Sequence, residues 1–117
     1  MKLWRWEQGR QGSGYRKFTL AYSKRFRFDA YILHLPTGTD VPPHSDPSPE
    51  GFEHHRVNIT LRSASAGGVT HFDDPNGASR SPARHYHFRP DLIRHSVSLI
   101  ERGEIWLLSV GWLRRAP

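Results

Sequence analysis

Apolar and polar residues alternate along most of this chain. Nowhere do ten residues pass with apolar positions at i, i+3, i+4 and i+7 and no breaker, so no amphipathic helix is predicted. Strand signals recur instead, at Phe18–Tyr22 (FTLAY), Phe26–Leu35 (FRFDAYILHL), Arg56–Arg62 (RVNITLR), Val69–Phe72, His85–Phe88, Ser96–Ile100 and Ile105–Leu113 (IWLLSVGWL). Within RVNITLR, Val57, Ile59 and Leu61 face one way and Asn58 and Thr60 the other. The breakers are grouped between these runs: Pro36–Gly38, Pro42-Pro43, Pro47–Gly51, Gly67-Gly68 and Pro75–Pro82. Glu101-Arg102-Gly103-Glu104 reads as a short hairpin connection. Short strands with regular turn signals predict an all-β sandwich or small barrel with little or no helix. Residues 1–16, which include the Gly/Gln-containing stretch Glu7–Gly14, are expected to form a loosely held N-terminal segment before one domain over 17–117.

Composition narrows the function classes. A chain of 117 residues has room for one core, which excludes a two-domain enzyme or an α/β barrel. Aromatic residues make up 12%, too many for a disordered chain. There is no cysteine, so disulfides and thiolate-held metals are excluded, and any metal must be held by His, Asp or Glu. The first ten residues hold no apolar core of a secretory signal, and IWLLSVGWL is far shorter than the roughly 20 residues that span a bilayer. The expectation is a soluble, cytoplasmic protein with no membrane partner. The formal net charge of +6 fits an anionic partner, nucleic acid or an acidic small molecule, without choosing between them.

The residues that carry chemistry are His44-Ser45-Asp46 and, 49 residues after Asp46, His95. Two imidazoles and one carboxylate are the ligand set of the facial triad, which leaves positions open on Fe(II). In an extended segment residues i and i+2 share a face, so His44 and Asp46 can chelate one ion, and the third ligand must arrive from a distant strand. Read alone, the tripeptide is also compatible with two polar residues on a Pro-rich loop.

In its order of motifs the chain resembles the 2-oxoglutarate/Fe(II)-dependent oxygenases built on the double-stranded β-helix, a jelly-roll or cupin-like barrel. The resemblance runs from Tyr31 to Trp112. Tyr31, Gly38 and His44-Ser45-Asp46 look like the family's opening, and Arg56–Leu61 is similar to the following strand in prolyl hydroxylases and aspartyl/asparaginyl β-hydroxylases. Gly67-Gly68-Val69-Thr70-His71-Phe72 resembles the "GGxxxF" of the next strand, and Phe88-Arg89-Pro90-Asp91 leads to His95 as in the segment of the distal histidine. The resemblance implies Fe(II) on His44, Asp46 and His95, with 2-oxoglutarate and O2 as cosubstrates and an unidentified substrate to be hydroxylated.

One departure matters. Ten residues after His95, where the family usually carries the Arg or Lys that holds the 5-carboxylate of 2-oxoglutarate, stands Ile105, and Leu107 follows where Ser is common. A buried carboxylate needs a paired charge. The β-hydroxylases carry a cosubstrate-binding Arg on the strand after HxD, which nominates Arg56, with Arg62 as second choice and Arg102 as a weaker third. Tyr31 completes the cosubstrate-binding set that the resemblance implies.

Two rival readings keep the barrel. Gly38 followed by five residues and His44-x-Asp46 also resembles the first cupin motif with Asp for its second His, which implies an isomerase, another dioxygenase or a ligand-binding module. The Ile105 departure fits a non-catalytic interaction protein. The remaining histidines have blander expectations: His54-His55 as exposed strand-end residues, and His85 and His87 as a surface pair sharing one face. Trp112 is expected to close the barrel. Arg16-Lys17, Lys24-Arg25-Arg27 and Arg114-Arg115 form either a solvated face or a collar that attracts an anionic substrate, nucleic acid included. So short a chain leaves little beyond the barrel, consistent with a homodimer covering exposed sheet or with a stripped-down relative.

Overall fold

A computed structural model describes residues 15–73 and 84–117 in full, and the backbone of Trp6–Gln8 and Ser79–Arg80. All the regular elements of the described residues are strands, as the alternation predicts. Trp4, the side chain of Trp6 and most of the Pro75–Pro82 group lie outside the described residues. So does much of the 1–16 segment, although Trp6–Gln8 pairs antiparallel with the strand that begins at Arg16.

The strands are β1 (Trp6–Gln8), β2 (Arg16–Ser23), β3 (Phe28–Leu35), β4 (Val41–His44), β5 (Phe52–Arg62) and β6 (Ala66–Gly67). They continue as β7 (Thr70–Asp73), β8 (Ser79–Arg80), β9 (His85–Phe88), β10 (Arg94–Val97), β11 (Ile100–Arg102) and β12 (Ile105–Arg115). One sheet has the order β1-β2-β3-β12-β5-β9 and a second has β4-β10-β7-β8. From β3 the chain crosses between them repeatedly: β3, β5, β9 and β12 lie in the first sheet and β4, β7 and β10 in the second. This is the path of a jelly roll, with the two sheets facing each other. β6 and β11 form a small ladder at one end.

That ladder corrects the predicted hairpin. Gly103 makes the turn with φ of +83°, but Ile100–Arg102 pairs with Ala66–Gly67 and not with β12. The Gly67-Gly68 pair permits this. A Cβ on Gly67 would stand 2.0 Å from the Leu99 carbonyl oxygen, and φ at Gly67 is +70°. Leu35, Val41, Ile100, Ile105 and Leu107 pack as the apolar core at this end of the barrel. Phe26 and Arg27 fall in a turn before β3, where Arg27 takes a φ of +55°.

The face of β5 that points inward is the polar one. Arg56 is 6% exposed and Asn58 8%, while Ile59 and Leu61 on the opposite face are 37% and 48% exposed. β12 obeys the same two-residue period, with Leu107, Ser109 and Gly111 buried and Leu108, Val110 and Trp112 on the outer face. Trp112 therefore does not close the barrel. It lies outside, beside His55 and His87.

Candidate metal centre

A cavity of about 400 Å³ fills the interior between the two sheets. Its second-sheet wall carries the predicted ligands. His44 on β4 and His95 on β10 are direct register partners, which sets two imidazoles side by side with ring centroids 4.3 Å apart. Asp46 follows β4, fixed by its backbone N–H donating to the Pro90 carbonyl at 2.8 Å. Its two carboxylate oxygens stand 3.7 Å from His44 Nε2 and 3.6 Å from His95 Nε2. One ligand atom from each residue lies within 4.8 Å of the others, the one such three-residue group among the described residues.

The donor set fits a divalent ion. Two nitrogen or oxygen ligands bonded at roughly 2.1 Å to one ion stand at most about 4.2 Å apart, and the Nε2–carboxylate spacings fall inside that limit. Each imidazole is also oriented for ligation. His44 Nδ1 bonds the Pro42 carbonyl at 2.8 Å and His95 Nδ1 bonds the Ile93 carbonyl at 2.9 Å. A carbonyl only accepts, so each Nδ1 carries a proton and each Nε2 is the ring nitrogen turned toward the carboxylate. Phe88 meets the His95 ring edge-on at 5.3 Å and holds its plane.

A brace behind the centre sets the loop between β9 and β10. Asp91 accepts two hydrogen bonds from the Arg89 guanidinium, at 2.9 and 2.7 Å, and one from the His54 N–H at 3.3 Å. Burial raises the pKa of the Asp91 carboxyl, but the Arg89 and backbone hydrogen bonds outweigh it and hold the group below its ordinary range.

The opposite wall, on the first sheet, carries a buried polar network that the sequence reading did not assemble. Arg56 Nη1 donates to Ser109 Oγ at 2.8 Å, and Ser109 Oγ donates to Asn58 Oδ1 at 2.6 Å. Asn58 Nδ2 in turn donates to the Tyr86 hydroxyl at 3.2 Å. Arg56 Nη2 pairs with Asp29 at 2.7 Å and contacts His54 Nε2 at 3.4 Å. The guanidinium lies 4.7 Å over the Tyr31 ring. Room for it comes from Gly111, where a Cβ would stand 2.2 Å from Nη2. Burial raises the pKa of the Tyr31 phenol, against an opposing pull from Arg56, so the hydroxyl is protonated at neutral pH. Burial first, then Arg56, lowers the pKa of His54 and favours its neutral form.

The structure thus brings His44, Asp46, His95, Arg56 and Tyr31 to one cavity. It places Arg62 elsewhere: its side chain is 66% exposed and 3.7 Å from Glu104, outside the cavity wall. His54 is not the exposed strand-end residue expected, since it faces the cavity beside Arg56. His55 faces outward, its Nδ1 2.9 Å from His87 Nε2 and its Nε2 3.1 Å from Glu53. Asp29, Asn58, Tyr86 and Ser109 are cavity residues that sequence reasoning missed, and Lys17, of the basic clusters, also lines the cavity. Ser109 had a visible signal, as the lone hydroxyl in an otherwise apolar strand.

Comparison with solved structures bears on this architecture. A Pseudomonas putida prolyl-4-hydroxylase superposes with a TM-score of 0.61 at 18% identity, over 77% of this chain and 52% of that one. The cupin domain of Schizosaccharomyces pombe Cnp3 gives 0.61 at 14% identity, over 94% and 69% of the two chains. KdgF from a Halomonas species gives 0.60 at 14%, over 94% and 87%. The fold is a cupin-type double-stranded β-helix. The present double-stranded β-helix spans about half the length of the prolyl-4-hydroxylase. No family model and no curated protein matches the sequence. No helix among the described residues is long and apolar enough to cross a membrane.

Proposed function

We propose that this double-stranded β-helix is a non-haem Fe(II), 2-oxoglutarate-dependent oxygenase that hydroxylates a small or protein-borne substrate entering its cavity. The observation that carries the reading is the convergence of His44, Asp46 and His95, with both Nε2 atoms turned to the Asp46 carboxylate. Two imidazoles and one carboxylate leave further coordination positions open, as an oxygenase requires. Bound there, Fe(II) would supply the coupled chemistry in which 2-oxoglutarate and O2 give succinate, CO2 and a hydroxylated C–H carbon.

The chain's own residues do the positioning. His44 and His95, locked by their backbone carbonyl acceptors, hold the ligand plane, and Asp46 supplies the charge. Arg56, Asn58, Ser109 and Tyr86 form a hydrogen-bonded polar wall across the cavity, with the Arg56 guanidinium at its cationic end. Phe72, Phe88 and Leu107 supply the apolar lining that excludes water. Arg56 is the residue of this chain that takes the place of the family's usual cation, because Ile105 packs in the apolar core.

A second reading, a cupin-type metal-binding protein without 2-oxoglutarate turnover, draws on the 2.7 Å Arg56–Asp29 pair, which already neutralises the guanidinium. One assay separates the two. Purified protein with Fe(II), 2-oxoglutarate and O2 is expected to release succinate, with the release lost in His44→Ala. Stoichiometric Fe(II) binding with no succinate above the His44→Ala background would favour the cupin reading.

A further inference from the structure

The turn that joins β2 to β3, Lys24-Arg25-Phe26-Arg27, sets three cations around one aromatic ring, and all four residues are exposed. Phe26, at 70%, is the most exposed large apolar side chain of the described residues, and Arg25 lies against its ring at 5.5 Å. The turn is anchored. The Phe26 N–H donates to Ser23 Oγ at 3.1 Å, and the Arg27 carbonyl accepts from the Leu113 N–H at 2.9 Å. Arg27 holds a left-handed φ of +55°, a conformation that glycine or asparagine adopts more readily. The strained position nonetheless carries a cation, and such strain is found where side chains serve a site.

The bond to Leu113 brings a second basic and aromatic segment alongside. Arg114 and Arg115 end β12 as the register partners of Glu53 and Phe52, and Arg27 lies 4.8 Å over the Phe52 ring. Trp112 pairs with Phe28 on one side and His55 on the other, so its ring stands on the outer face two residues before Arg114. Rings and cations therefore interleave across this end of the outer sheet. The carboxylates on the same strand ends and the adjoining loop are Asp29, Glu50 and Glu53, against five cations. Asp29 is bonded to Arg56, and Glu53 lies against His55 and Arg89, with Arg114 also lowering its pKa.

Interleaving of this kind has a specific complement. A base offers a π-face to an exposed ring, and the phosphates between bases meet the cations around it. Insertion into lipid would call for aliphatic neighbours beside Phe26, whose neighbours are Arg25 and Arg27. We infer that this end of the outer sheet is a docking surface for single-stranded nucleic acid, with Phe26 and Trp112 stacking on bases and Lys24, Arg25, Arg27 and Arg115 meeting phosphates. The surface uses no residue of the metal triad and is independent of the function proposed above.

The test is fluorescence anisotropy of a labelled oligothymidylate of about 12 nucleotides, a length that one small single-strand-binding fold covers, titrated with the full chain at several salt concentrations. Four phosphate contacts predict an affinity that falls with salt at a log–log slope of about −3. Phe26→Ala is expected to weaken binding by about 5- to 100-fold with the slope unchanged. Replacing Arg25 and Arg27 together by Gln is expected to reduce the slope by about 1.4. Arg62→Gln, which removes an exposed cation at the opposite end of β5, is expected to bind as wild type does. No binding at low salt overturns the inference, and so does wild-type affinity in Phe26→Ala. Arg62→Gln weakening binding as much as the Arg25 and Arg27 pair would reduce the effect to net charge and overturn it. A duplex of the same length bound more tightly than the single strand overturns the stacking role. Displacement by polyglutamate at equal charge assigns the surface to an acidic protein, and binding of phosphatidylserine vesicles in place of the oligonucleotide assigns it to a membrane; either overturns the inference.

Discussion

Gly111 lies in the middle of an eleven-residue strand, where glycine is normally unfavourable, and its φ is not left-handed. Its role is space. A Cβ there would stand 2.2 Å from Arg56 Nη2 and 2.4 Å from Cζ, so Gly111→Ala must expel the guanidinium. Expulsion breaks the buried bond to Ser109, the bond to Asp29 and the contact with Tyr31. A hydrogen bond to a charged group contributes about 1.5–3 kcal/mol, and the Asp29 pair counts at the low end because that carboxylate is 40% exposed. The expected loss is about 2–3 kcal/mol, a fall in Tm of about 8–15 °C for a domain of this size. The decisive assay is a double-mutant cycle by chemical denaturation. Arg56→Met removes the group that the new methyl meets, so Gly111→Ala should cost little in that background, with a coupling of about 2 kcal/mol. Additive effects, or a Gly111→Ala protein as stable as wild type, would refute the packing argument.

Gly67→Ala forces a Cβ to 2.0 Å from backbone at Leu99, which cannot yield like a side chain, and should cost about 3 kcal/mol or more in thermal melts. Asp91 has a folded pKa held below its unfolded value. Its contribution is therefore complete above the ordinary carboxyl range and lost as pH falls through the folded pKa; Asp91→Asn should flatten the acid limb of the stability profile measured by circular dichroism. The His54 pKa is also depressed, so its neutral form favours the fold, and that contribution is present above pH about 6.5 and lost as pH falls through the folded value. Arg56→Met should raise the His54 pKa, read from its ring proton shifts by NMR, because it removes an adjacent positive charge.

The legible parts of this molecule were those with short-range patterns. Period-two alternation located most strands, and the HxD tripeptide placed two ligands on one extended segment. The third ligand was a candidate by residue type and strengthened by the resemblance, but its pairing with His44 is a matter of register that no local pattern shows. The orientation of β5 was not visible. An alternating strand of Val57, Ile59 and Leu61 looks like a core strand, but this interior is a site, and its polar face turns inward to bond partners on other strands. Those partners are remote in sequence: Asp29 is 27 residues from Arg56 and Ser109 is 53 residues away. Likewise, Gly103 signalled a tight turn but not which strands it would separate, since β11 found its partner in β6.

The proposed function stands on His44, Asp46 and His95 holding one divalent ion. Titration of the full chain with Mn(II), followed by loss of the free-ion electron paramagnetic resonance signal, tests it most directly. The wild type should bind one equivalent and His95→Ala none, while the variant remains folded by circular dichroism. A folded wild-type chain that leaves all the Mn(II) free, or a His95→Ala chain that binds as tightly as wild type, would contradict it.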